Sequence, residues 1–95
     1  MYIRTESDKV KEIADHYGLK NQLKQLAEEC CELSVEALHH IREEGGTERI
    51  FEEMADVLIM IQQVIHLFGC GREDIEKYAE FKVNRQLGRI QTEQK

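Results

Sequence analysis

Glu28-Glu29-Cys30-Cys31-Glu32 and Glu53-Met54-Ala55-Asp56 are acidic clusters set inside otherwise apolar stretches. Each contains a pair three residues apart, Glu29 with Glu32 and Glu53 with Asp56. On a helix that spacing projects both carboxylates from one side. Four such groups facing one another in a helical core would repel and lose hydration unless a cation lay among them. Mg²⁺ takes oxygen ligands of this kind, and Mn²⁺ accepts the same donors. A metal site, and with it phosphate chemistry, is one reading of the clusters. A solvated helix face is another, since Glu29, Glu32 and Glu36 recur at steps of three and four. A third starts from Glu36-Ala37-Leu38-His39, which has the Glu-x-x-His spacing of di-iron bundles. That class needs a second such motif, and the chain has none.

Cations follow further along. Tyr78, Lys82, Arg85 and Arg89 fall at steps of four, three and four, so three positive side chains share one helix face, with Asn84 between them. Arg grips phosphate bidentately and Lys offers a point charge. Pairing within the helix, for example with Glu80, is the alternative.

These residues need helices to position them, and four are expected. The first runs from about Ser7 to Tyr17, with Ser7 or Asp8 as its cap and Gly18 at its C′ position. The second runs from about Leu19 to Glu43 and ends at Gly45-Gly46. Its apolar stripe is Leu23, Leu26, Cys30, Leu33, Ala37 and Ile41. Thr47 suits the N-cap of the third, which reaches Phe68 and stops at Gly69. This helix is apolar on most sides, which predicts burial all round and a homo-oligomer, dimer or tetramer, with the helix at the interface. Gln63 extends its polar strip further along the same side. The fourth starts near Arg72, where Glu73 and Asp74 favour an N-terminus. It weakens at Gly88, with a frayed tail from Gln91 to Lys95.

The chain has 95 residues, no Pro and 41 % hydrophobic residues, which suits one all-α domain over residues 1–95. A domain of this size buries only roughly 60–65 % of its unfolded surface and is marginal alone. The net charge of −6 argues against a nucleic-acid binder. A small anionic substrate stays open, because a bound cation reverses the local field. Cys30, Cys31 and Cys70 are odd in number and lack Cys-x-x-Cys spacing, which fits a reducing cytoplasm. Cys30 and Cys70 read as small core residues, and Cys31 as exposed. His16 and His66 read as surface or satisfied-core residues. The opening Met1-Tyr2-Ile3-Arg4-Thr5-Glu6 lacks the apolar run of a signal peptide, and no stretch is apolar enough to span a membrane.

Taken in order, the motifs resemble those of the MazG-type all-α nucleoside triphosphate pyrophosphohydrolases. That family's pattern is Glu-Glu-x-x-Glu, a variable gap and Glu-x-x-Asp. It stands here as Glu28-Glu29-Cys30-Cys31-Glu32, twenty intervening residues and Glu53-Met54-Ala55-Asp56. Lys82-Val83-Asn84-Arg85 resembles the basic motif of its last helix, and Tyr17-Gly18 also matches. The resemblance spans about residues 8 to 90. It implies a four-helix, bundle-like protomer assembled as a dimer or a tetramer of dimers. It implies Mg²⁺ held by Glu29, Glu32, Glu53 and Asp56, and cleavage of a (d)NTP to (d)NMP and pyrophosphate. Glu28 would orient or deprotonate the attacking water, or support the ligands from outside them. Lys82, Asn84 and Arg85 would clamp phosphate oxygens, joined by Arg89 if the helix passes Gly88. The chain has no Trp to stack on a base. A related enzyme class of similar size, which hydrolyses phosphoribosyl-ATP, is the substrate-level alternative. A non-catalytic helical interaction or regulatory module of the same fold is the other.

Overall fold

The computed structural model describes residues 7–69 and 71–94 and contains four helices: α1 (Ser7–Tyr17), α2 (Leu19–Ile41), α3 (Thr47–Phe68) and α4 (Arg72–Glu93). The opening segment and Cys70, expected in the core, lie outside the described residues. So does the side chain of Ser7. Asp8 occupies the first turn of α1 instead of capping it.

Glycines end the helices where the sequence places them. Gly18 and Gly69 have φ of 85° and 66°, a left-handed backbone that costs glycine little. The end of α2 differs from expectation. It closes at Ile41, two residues early, and Glu43 takes the left-handed position with φ 62°. The N–H of Glu44 donates to the His39 carbonyl at 2.8 Å, and that of Glu43 to the His40 carbonyl at 3.0 Å. This is a Schellman closure with a glutamate where glycine is usual. Gly46, not Thr47, is the N-cap of α3, with no side-chain cap. α4 passes through Gly88 to Glu93, so Arg89 is helical.

α2 and α3 form a hairpin with the most extensive packing in the chain, and α1 lies across both. The buried apolar residues are few: Val10 and Ala14 from α1, Met60 and Val64 from α3. His66 on α3 meets Asp15 on α1 at 2.8 Å, which gives that histidine a partner. Two amides join the core. Gln22 on α2 donates to Gln63 on α3 at 2.6 Å, and both are buried, Gln63 to 2 % exposure. Gln63, the far end of the polar strip on α3, thus closes the hairpin.

The face that α2 turns inward is not the expected one. Gln22, Gln25, Glu29, Glu32 and Glu36 lie at steps of three, four, three and four, the spacing of a helix–helix seam. The leucine stripe one position along is only partly covered. Leu23 is exposed, Leu26 and Leu33 are half-buried, and Cys30, Ala37 and Ile41 are exposed. Within the protomer α3 is not covered on all sides, since Phe51, Ile61 and Phe68 are exposed.

α4 shares no extended packing with α1, α2 or α3, and every described residue on it is exposed. The radius of gyration is 16.1 Å, against about 12.4 Å for a compact chain of this length. An extended fourth helix accounts for the excess. Among the described residues no helix is long and apolar enough to cross a membrane.

Candidate metal centre

The seam places acids from α2 against acids from α3. One carboxylate oxygen each from Glu29, Glu53 and Asp56 lie within 4.8 Å of one another. Glu32 hydrogen-bonds to Glu53, and Glu36 adds its charge to the same neighbourhood. Glu53 and Asp56 converge because they lie three apart on α3, and Glu29 reaches them because the helices run antiparallel.

Lost hydration and like charge act in the same direction here. Desolvation pushes the Glu53 carboxyl above the usual carboxylate range, and Asp56 and Glu29 push it further. Asp56 is raised by desolvation, by the charge of Glu29, and by a hydrogen bond with Glu29 that favours its protonated form. Three carboxylate oxygens, Glu29 Oε2, Glu36 Oε2 and Glu53 Oε2, are buried without a hydrogen-bond partner among the described residues. A buried polar atom left so costs about 1–3 kcal/mol, more when charged. A divalent cation would relieve both the repulsion and the lost hydration. An all-oxygen donor set fits a hard ion such as Mg²⁺.

The predicted ligands are therefore only partly assembled. Glu29, Glu53 and Asp56 converge, while Glu32 is exposed and joins through Glu53. Glu28 is exposed. Glu36 approaches His39 at 3.7 Å, so its Glu-x-x-His spacing produces a local contact. Lys82, Asn84, Arg85 and Arg89 all lie on exposed α4, and the protomer's packing does not bring that helix onto the seam. Arg85 sits 6.0 Å from the ring of Phe81.

A cavity of about 110 Å³ opens at the acids, lined by Gln25, Glu29, Asp56, Ile59 and Met60. Ligand pockets are typically about 300–1,000 Å³, so this is a fraction of one. Gln25 is the residue that motif reasoning missed. It donates to Glu29 Oε1 at 2.8 Å. The signal was present in the heptad-like spacing of Gln22, Gln25 and Glu29, which puts all three on the face turned to α3.

No protein-family model, curated protein or solved structure matches this chain.

Proposed function

We propose that this protein is a Mg²⁺-dependent nucleoside triphosphate pyrophosphohydrolase of the MazG type, converting a (d)NTP to (d)NMP and pyrophosphate. One observation carries the reading: carboxylates from facing helices converge on one point with buried, unpartnered oxygens. A structural seam would place apolar groups or paired charges there. Glu29, Glu53 and Asp56 would hold the ion, with Glu32 beside them. When bound, Mg²⁺ supplies charge neutralisation for the triphosphate and lowers the pKa of a bound water. Glu28, which is exposed, would hold or accept a proton from that water.

Lys82, Asn84, Arg85 and Arg89 are the phosphate-binding groups in this proposal. In the protomer they stand away from the acids, so a second copy completes the site. Two further features support assembly: the partial cavity, and the exposed apolar side chains Ile75, Tyr78, Phe81, Leu87 and Ile90 on α4. The same two features favour a second reading, a helical interaction module without turnover.

Incubation with a panel of (d)NTPs, phosphoribosyl-ATP and Mg²⁺, with pyrophosphate as the readout, separates these readings. Release from a nucleoside triphosphate supports the proposal, and release from phosphoribosyl-ATP alone moves the substrate. An intact oligomer that cleaves neither is not this enzyme.

A further inference from the structure

We infer that Gln25 is a positioning residue for the metal centre, acting through Glu29. The inference rests on the metal-site reading above and names a residue beyond the acidic motifs. Gln25 lies one turn before Glu29 on α2, and its side-chain N–H donates to Glu29 Oε1 at 2.8 Å. The other oxygen of the same carboxylate, Oε2, is buried and has no amide or hydroxyl donor among the described residues. Gln25 and Glu29 both line the cavity that opens beside Asp56. Gln25 is half-buried, so water competes poorly for its amide.

The consequence is mechanical. A glutamate has three rotatable side-chain bonds, and Glu29 stands among like charges that would drive it out toward water. The amide of Gln25 occupies one oxygen and fixes the carboxylate plane, which keeps the headgroup in the seam. Outer-shell partners that orient ligands in this way typically contribute roughly 10–100-fold in metal affinity. Glu53 and Asp56 have carboxylates as neighbours, whereas Glu29 is held in place by an amide before the ion arrives.

The test uses the full chain and Mn²⁺ alone, with free and bound ion distinguished by electron paramagnetic resonance and no nucleotide present. Gln25→Met keeps the length of the side chain and removes the donor. It should raise the Kd for Mn²⁺ roughly 10–100-fold while the metal-free melting temperature stays close to wild type. Gln25→Ala is measured alongside, so that a folding defect in one variant does not decide the matter. Gln22→Met is the structural control. It breaks the other amide contact of the seam, and should lower the melting temperature while costing less Mn²⁺ affinity than Gln25→Met. If Gln25→Met binds Mn²⁺ as wild type does while Asp56→Asn does not, Gln25 has no positioning role and the metal site stands. Equal loss of affinity in Gln22→Met and Gln25→Met would assign the effect to the seam as a whole, and overturn the inference. A wild-type chain that binds no Mn²⁺ at millimolar concentration removes the metal site itself, and this role with it.

Discussion

Between α2 and α3, carboxylates and amides occupy positions that hold leucine in most helix hairpins. Along α4, isoleucine, leucine, tyrosine and phenylalanine occupy positions that face water. Each region inverts the usual distribution, and each inversion needs a different remedy. The seam holds excess negative charge with partners missing at three oxygens, so it calls for a cation. α4 holds excess apolar surface beside Lys82, Arg85 and Arg89, so it calls for a protein surface and an anion. A metal–triphosphate complex held between two copies would supply all of these at once. On the proposed reading, affinity for metal and affinity for nucleotide would reside on separate elements, and could be broken separately.

Glu53→Gln should break the seam side completely. Turnover should fall by more than about 100-fold, beyond the usual effect of an outer-shell change. Pyrophosphate release at saturating Mg²⁺ measures it, and a variant that kept near-wild-type turnover would remove Glu53 from the site.

Mg²⁺ should also stabilise the protein without nucleotide. At an ion concentration 100 times Kd the gain is about 2.7 kcal/mol, or roughly 10 °C or more in Tm for a chain this size. pH should act with opposite sign in the two forms. Glu53 and Asp56 have folded pKa values above their ordinary ones. Their contribution in the metal-free protein is therefore fully present below the ordinary carboxylate range, and is lost as pH rises through the elevated values. In EDTA the midpoint of denaturation should fall on going from about pH 4 toward neutrality, as far as these groups govern it. With Mg²⁺ the ionised forms are favoured, so the gain from the ion should grow over the same interval. A Mg²⁺ shift that ignored pH would separate the ion from these carboxylates.

Arg85→Ala tests the other element. It should lower kcat/KM about 10-fold, the scale of one charge-assisted phosphate contact. The Mg²⁺ shift in Tm should not change. If the metal shift fell as well, the two regions would not be separable.

Glu43→Gly should have the smallest effect, a gain of about 0.5–1 kcal/mol. It relieves a left-handed glutamate and is partly offset by the entropy of glycine. Denaturant midpoints check it, and Mg²⁺ affinity should be unaffected.

Much of the fold was legible because breakers are few and well placed. With no Pro and with Gly18, Gly69 and Gly71 at the junctions, the four helices follow to within two residues. Glu43 shows the limit, because nothing in its side chain announces a left-handed backbone. The face of α2 was misread for a physical reason. The apolar stripe through Leu23, Leu26 and Leu33 normally marks the inside, whereas Glu29 and its neighbours normally face water. Carboxylates and amides turned into a helix–helix seam invert that rule, so hydrophobic phasing pointed one position away from it. Of the four acids that the spacing grouped, Glu29, Glu53 and Asp56 lie within 4.8 Å of one another, and Glu32 stands apart from that trio. The placement of α4 was not legible, because its partner surface is not encoded in the periodicity of α4.

The Gln22–Gln63 contact has a consequence for how the chain finds its alignment. Slipping α2 along α3 by one turn, about 5.4 Å, would leave both amides buried and unpaired, at roughly 1–3 kcal/mol each. Repulsion among the carboxylates favours such slips, so without the amides the acids would drift out of step. Gln63→Leu should therefore speed hydrogen exchange along α2 in EDTA, and unchanged exchange would deny the amides this role. Two uncharged side chains act as an alignment key, turning a mutually repelling set of acids into a single, reproducible spacing.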